Sequence, residues 1–556
     1  MTRFLDHIFA GAARWHANRV YRGFLGDLSR PVEVQRRALI RALATVRESE
    51  FGRQAGLRNV RSLAELRRAV PLVTYEEMRP LMDRVVAGEF AALFSPGVTI
   101  QMFATSSGTT AKQKLIPVTT PFVSEYRRGW NTFGLKMLTD HPRAILRDIL
   151  QSSGRYDERI TPSGVPAGAI TGLLARMQKG IVRRYYVGTP DLALVADPIA
   201  RAYCLARFAL VRDVAFAVTA NPATLIRLAQ IVDENAEALL RDIHDGTLDA
   251  GRVGDPALHR RLATGLRAAP ARAAELAGLR AREGALRPRD YWKLEFLACW
   301  TGGSMGHYLN RLADWYGPIP VRDVGLLASE GRVSIPLDDG TPAGPLDLQA
   351  SCFEFIPAEH VEETQPETVA AEALETGREY AVVLTNDAGL VRYRLDDVIR
   401  VRGRIEQTPV VEFLYRAGRV ASVAGEKLTE NQLVEAVRQA CQQLRIPEFD
   451  FVAGPVWSEP PYYRLYVAGQ VPPALAAELD QALGQQNEEY ASRRKSFRLS
   501  PLQVQCVSRN AFVEMDHRAI RQRGSTAEQY KRICLFPRTG GAESALGLAD
   551  QAVAAP

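Results

Sequence analysis

Apolar side chains recur at spacings of three and four from Val32 to Val46 and again from Leu63 to Val70. That is the period of a helix burying one face, so the first ninety residues read as helical, with turn signals at Gly52 and Gly56. The texture changes at Val98. Val98, Ile100, Met102 and Phe103 lead into a Thr/Ser/Gly cluster, the pattern of a strand that ends in a polar loop. Helical periods return from Thr120 to Thr139 and from Pro222 to Leu240, and the stretch from Arg252 to Arg282 is rich in Ala, Arg and Leu. Strand-like runs then gather at Val321 to Leu327, Cys352 to Ile356, Tyr380 to Leu384, Leu390 to Val401 and Phe413 to Tyr415. The sum predicts a mixed α/β fold.

A second pattern starts beyond a polar hinge at Arg416 to Arg419. A helix from Glu430 to Leu444, strands at Phe449 to Ala453 and Tyr463 to Ala468, a helix from Pro473 to Arg493 and a strand from Leu502 to Val507 make a small α/β unit. The expected division is therefore a large N-terminal domain over residues 1–417, a small domain over 418–538, and a Gly/Ala-rich tail over 539–556 expected to fray. A length of 556 residues agrees with two or three domains.

Composition narrows the class. With 46% hydrophobic and 24% charged residues the chain is neither disordered nor a membrane protein. The most apolar stretch, Leu205 to Ala220, is cut by Arg207, Arg212 and Asp213, which excludes a membrane span. Charged residues between Met1 and Val20 argue against a signal peptide. The six cysteines stand far apart without metal-ligand spacing, so a zinc site and a disulfide scaffold are not expected and a reducing cytoplasm is. The net charge of +7 is spread without basic blocks, and nucleic acid binding is not expected. Nothing in the sequence sets an oligomeric state. Eight lysines stand against 62 arginines, a coding bias that still directs attention to each lysine, because a mobile point charge and a planar guanidinium suit different sites.

Two of those lysines follow the most informative segment, Phe103-Ala-Thr-Ser-Ser-Gly-Thr-Thr-Ala-Lys-Gln-Lys-Leu-Ile-Pro117. A strand that opens into five hydroxyl residues around one glycine offers main-chain N–H groups, hydroxyls and positive charge to a phosphate. The spacing is not that of a Walker loop. A rival is Gly302-Gly303-Ser304-Met305-Gly306, which matches the Gly-x-Ser-x-Gly elbow of α/β-hydrolases, with Ser304 as nucleophile and His307, His360 or His517 as its base. That reading leaves the 103–117 loop and the late lysine Lys531 without a role. A non-catalytic nucleotide-binding module is a further alternative.

The hydroxyl loop resembles that of the auxin-responsive Gretchen Hagen acyl acid amido synthetases, within the superfamily of adenylate-forming enzymes. Their loop has the form Ser-Ser-Gly-Thr-Ser/Thr followed by Lys-x-x-Pro, here Ser106-Ser107-Gly108-Thr109-Thr110 with Lys114 and Pro117. Their aromatic-then-Ser-Glu motif is similar to Leu326-Leu327-Ala328-Ser329-Glu330, and their Tyr-Arg-x-Gly-Asp-Val to Tyr393-Arg394-Leu395-Asp396-Asp397-Val398. Gly425-Glu426-Lys427 and Gln529-Tyr530-Lys531 also agree in order and separation, and the likeness extends from about Arg37 to Lys531. Three positions depart from the pattern: Leu326 replaces Tyr, Ala111 replaces a glycine of the loop, and Asp396 replaces Gly.

The resemblance implies an acyl-CoA synthetase-like fold of several sheets flanked by helices, with a mobile small domain. It implies activation of a carboxylic acid by ATP and Mg²⁺ as an acyl-adenylate, then transfer to an amino acid. Ser106, Ser107, Gly108, Thr109, Thr110 and Lys114 would grip the phosphates, Ser329 and Glu330 would lie against them with Glu330 on Mg²⁺, and Asp397 would accept the ribose hydroxyls. Arg416 and Lys427 would contact nucleotide in one domain orientation, Lys531 would act in adenylation, and Thr301, Gly302 and Gly303 would border the acid. The helical opening, with Phe51-Gly-Arg and Val70-Pro-Leu-Val-Thr-Tyr, is also similar to phenylacetate-type coenzyme A ligases, so coenzyme A is the alternative acceptor.

Overall fold

In the computed structural model, residues 2–106, 113–178, 180–417, 420–424, 426–523 and 532–548 are described. The expected helical opening is present: helices Thr2–Leu28, Pro31–Val46, Leu63–Ala69 and Tyr75–Ala87 precede the first strand. Ser62 and Thr74 cap two of them in reciprocal capping boxes with Glu65 and Glu77, which satisfies main-chain donors at the helix starts.

Three sheets of four or more strands build the large part of the chain. The first runs in the order Lys114–Thr119, Ile100–Ser106, Pro166–Gly168, Arg159–Ile160. A second is wholly parallel, in the order Asp148–Gln151, Val214–Val218, Phe296–Ala298, Val321–Arg322. The third is a six-stranded antiparallel sheet, Gly344–Pro345, Thr408–Arg416, Tyr393–Ile405, Glu379–Thr385, Cys352–Pro357, Val369–Ala370. The opening helices pack against the first and third sheets in one apolar core, and helices Pro198–Ala209, Pro222–Glu234 and Ala236–Asp245 pack with the parallel sheet in another.

Beyond residue 420, strands Phe451–Val456, Tyr462–Ala468 and Gln503–Val507 form one small sheet against helices Glu430–Leu444 and Leu475–Gln486. Each of the six apolar clusters among the described residues lies wholly before residue 418 or wholly after 420. Part of the expected tail is instead structured. Helix Gly541–Leu546 buries Ala542 and Leu546 against Val452, Tyr466, Phe512 and Met515, which gives this Ala-rich stretch an apolar face that composition alone does not reveal. All six cysteines are unpaired thiols. No described helix is long and apolar enough to cross a membrane.

Candidate active site

The hydroxyl-rich segment connects two antiparallel strands, with Ser106 opposite Lys114 at the mouth of the hairpin. Ser107, Gly108, Thr109 and Thr110 lie outside the described residues, as does Lys531. Lys114 opens the outgoing strand, and its Nζ donates to Tyr393 Oη at 3.1 Å. The ammonium also lies 5.3 Å from the ring centre of Tyr75 and 5.8 Å from that of Tyr393, within cation–π range. Two aromatics reach one cation because main-chain bonds lay residue 73 beside strand Tyr393–Ile405. Val73 N donates to Arg392 O at 3.1 Å and Arg394 N to Val73 O at 2.8 Å. The capped helix start then holds Tyr75, whose Oη accepts from Leu115 N at 2.8 Å. Burial draws the Lys114 ammonium below the usual lysine range, with the Glu330 carboxylate pulling the other way.

Glu330 sits in the tight turn between Leu327–Ala328 and Gly331–Arg332 and is 3% exposed. Tyr393 Oη donates to its Oε1 at 3.4 Å, and its main-chain oxygen accepts from Asn386 Nδ2 at 2.7 Å. Ser329 Oγ donates to Thr105 O at 3.1 Å, which stitches this turn to the end of the strand that carries the hydroxyl loop. Asp397 and Arg416 face each other across two strands of the third sheet. Arg416 Nη2 donates to Leu395 O at 3.1 Å. Burial works against the Arg416 charge, and Asp397, Glu330 and Asp396 outweigh it and raise its pKa. Asp396, where the resembled motif has glycine, stands at φ +62°, and its carboxyl is pushed up by burial against the pull of Arg394 at 3.5 Å. Leu326, in place of an aromatic, is buried in the main core.

The turn at Thr301, Gly302 and Gly303 follows strand Phe296–Ala298 of the parallel sheet. Its organiser is Asp323, at the end of the neighbouring strand. Asp323 Oδ2 accepts from Thr301 N at 2.6 Å, Thr301 Oγ1 at 2.8 Å and Gly302 N at 3.2 Å, while Oδ1 accepts from Gly325 N at 2.6 Å. Burial pushes this carboxyl up and the four bonds oppose it. Gly303 adopts φ +56°, and a Cβ there would stand 2.8 Å from Leu414 O, so only glycine fits. Leu414 is two residues before Arg416, so the turn lies against the strand that carries Arg416. Ser304 lies inside a 3₁₀ helix, Gly303–Tyr308, rather than at a strand-to-helix elbow, which removes the structural context of the hydrolase reading.

Lys114, Ser329, Glu330, Asp397 and Arg416 are thus brought together at the mouth of the 107–112 segment. Lys427 stands apart. It is exposed on the small unit, where its main-chain N–H donates to Glu489 Oε2 at 2.8 Å and its carbonyl accepts from Asn487 Nδ2 at 2.8 Å. Sequence reasoning missed Tyr75, Tyr393 as a lysine partner, and Asp323. Asp323 had a faint signal, a carboxylate two residues before a glycine at a strand end; the pairing of Tyr75 with Lys114 had none, since it is made through a contact between residues more than 300 apart.

Fold and site agree with the acyl acid amido synthetase class that the sequence motifs resemble. The chain belongs to the GH3 family: its N-terminal domain matches residues 21–321, its central domain 345–416 and its C-terminal domain 431–538. The probable indole-3-acetic acid-amido synthetase GH3.4 of Oryza sativa subsp. japonica is 27% identical over 541 residues, covering 89% of this chain and 85% of that one. The jasmonoyl–L-amino acid synthetase JAR4 of Nicotiana attenuata is 24% identical over 87% of this chain and 88% of its own. The solved structure of GH3.15 acyl acid amido synthetase shares the fold, with a TM-score of 0.82 over 95% of each chain at 22% identity.

Proposed function

We propose that this GH3 protein forms an amide between a carboxylic acid and an amino acid in two ATP-driven steps. In the first, a carboxylate oxygen attacks the α-phosphorus of ATP, the bond to the bridging oxygen of the β-phosphate breaks, and pyrophosphate leaves. In the second, the amine nitrogen attacks the acyl carbon, the acyl–oxygen bond breaks, AMP leaves and the nitrogen releases a proton. Relatives named for indole-3-acetic acid-amido and jasmonoyl–L-amino acid synthesis support an amide product.

The observation that carries this reading is the set of half-buried Lys114 and Arg416 with buried Glu330 and Asp397 beside the hydroxyl-rich hairpin. Two half-buried cations stabilise charge that accumulates on a polyphosphate better than they would in open water. The main chain and hydroxyls of Ser106, Ser107, Gly108, Thr109 and Thr110 hold the phosphates. Asp397 accepts the ribose hydroxyls. Ser329 keeps the Glu330 turn against the hairpin through its bond to Thr105.

Among the described residues no group of three or more His, Cys, Asp and Glu side chains could hold a metal alone. Mg²⁺, which takes one or two carboxylates and completes its shell with phosphate oxygens and water, fits Glu330 in this setting. When bound it would neutralise phosphate charge. Thr301, Gly302 and Gly303 border the acid, and the small unit, 418–538, turns on the body, 1–417, to bring Lys531 to the α-phosphate and Lys427 towards the nucleotide.

The test is exchange of labelled pyrophosphate into ATP with pooled carboxylic acids, followed by mass spectrometry of products with pooled amino acids or coenzyme A. Acid-dependent exchange and an amide are expected. A thioester without an amide would replace the acceptor, and no exchange with a broad acid panel would leave a nucleotide-binding protein without turnover.

A further inference from the structure

Helix Glu488–Lys495 of the small unit ends in a Schellman turn. Phe497 N donates to Arg494 O at 3.2 Å and Arg498 N to Arg493 O at 3.0 Å, which puts Phe497 in the left-handed position after the cap, at φ +56°. Glycine is usual there, because a Cβ in this region crowds the main chain and costs stability. The turn is anchored from within. Leu499 is fully buried, and Arg494 holds both oxygens of Asp480 with its Nε and Leu499 O with its Nη1 at 2.8 Å. The Phe497 ring takes no part in that packing and is 82% exposed. A large apolar side chain at this position therefore adds backbone strain and buries almost nothing within the chain.

A second exposed ring stands on the adjoining loop. Trp457, 69% exposed, opens the connection between strands Phe451–Val456 and Tyr462–Ala468. That connection is tied to the Phe497 turn at one carbonyl: Pro460 O accepts from Ser458 Oγ at 2.6 Å and from Ser500 Oγ at 3.3 Å, and Ser500 N donates to Pro461 O at 2.8 Å. Two cations flank Phe497 in the chain. Lys495 and Arg498 are exposed, and neither pairs with a carboxylate among the described residues; Arg498 Nε donates to Ser496 Oγ at 3.0 Å. Glu459 is the one acidic residue in 457–461 and 495–500, so the positive charge prevails. A specific protein partner covers about 800 Å² on each side, far more than two rings and two cations on short loops present. Such protrusions suit a layer that deforms around them. Trp and Phe rings settle at the headgroup level of a bilayer, and unpaired Lys and Arg beside them meet anionic lipids.

We propose that this end of the small unit docks on an anionic lipid bilayer, with Trp457 and Phe497 entering the headgroup layer and Lys495 and Arg498 on the lipid phosphates and carboxylates. The surface uses no residue assigned to the nucleotide and stands whether or not the chain forms amides.

Flotation of the full chain with vesicles of phosphatidylcholine carrying about one third phosphatidylserine should show binding that pure phosphatidylcholine lacks and that falls as salt rises. Trp457→Ser should lower the partition about tenfold, and Lys495→Gln and Arg498→Gln about fivefold each. Phe497→Gly separates docking from folding. It should lower the partition about tenfold while leaving the midpoint of thermal unfolding unchanged or raising it, since the turn favours glycine. Vesicles with brominated lipid tails should quench tryptophan emission in the unaltered chain more than in Trp457→Phe. Equal binding to both vesicle compositions, binding to neither, equal quenching in both chains, or binding that survives Trp457→Ser and Phe497→Gly together overturns the proposal. So does a concentration-dependent dimer in sedimentation velocity that Phe497→Gly dissolves, which would assign the rings to a second copy of the chain.

Discussion

Asp396 carries its side chain at φ +62°, a region that Asp tolerates better than other side chains but glycine occupies without strain. Burial opposes the charge of its carboxyl, which offsets the ion pair with Arg394 that its removal forfeits. Asp396→Gly should therefore leave stability unchanged or raise it by up to about 1 kcal/mol, whereas the β-branched Asp396→Val should cost about 2 kcal/mol, both read from denaturant titration. Lys114 makes a prediction in pH. Its folded pKa is lowered, so its charge is lost as pH rises through a value below the ordinary lysine range, and exchange activity should fall on the alkaline side earlier than a free lysine would dictate. Lys114→Arg should push that limb upwards, and Lys114→Met should reduce exchange by about 100-fold at neutral pH. The charged members of the site were legible because each sits in a short motif beside residues of the same purpose. Tyr75 was not, because its meeting with Lys114 depends on Val73 bonding to a strand more than 300 residues away.

Elements were read best where one face is buried by period alone. The helix expected from Glu430 to Leu444 occupies Glu430–Leu444. Two long helical periods are instead each broken by an asparagine. Asn235 separates Pro222–Glu234 from Ala236–Asp245, and Asn487 ends Leu475–Gln486 and caps the next helix by accepting from Tyr490 N. An asparagine side chain satisfies main-chain groups that a continuous helix would satisfy itself, so apolar period cannot reveal the break. The run from Val321 to Leu327 likewise divides into Val321–Arg322 and Leu327–Ala328, because Asp323 turns its carboxylate onto the Thr301 segment and Gly325 takes φ +87°. That carboxylate is the joint between two strand ends. Asp323→Ala should cost about 3 kcal/mol by leaving several buried donors without an acceptor, and Asp323→Asn less, measured by chemical denaturation. A loss below 1 kcal/mol for Asp323→Ala would mean that the glycine turn holds its shape unaided.

Across the whole molecule, apolar clusters stay on one side or the other of residues 418–420, and Arg311 and Asn310 reach across to Asp450 and Glu448. Domains with separate cores unfold as separate units. Calorimetry should resolve two transitions, and ATP should raise the one belonging to residues 1–417, whose part of the site holds Lys114, Glu330, Asp397 and Arg416. A single cooperative transition would contradict this. The sequence by itself determined the α/β class and the family, and it supplied the hinge and the nucleotide segments on which the proposed function rests, since helical period, strand period and motif spacing are all local. Tertiary structure decided how those segments meet: a lysine between two tyrosines, a carboxylate clasping a glycine turn, and an arginine reaching an aspartate across the units. Such contacts join residues tens to hundreds of positions apart, and no local pattern encodes them, because their energy exists only once separate cores have brought the partners within a few ångströms.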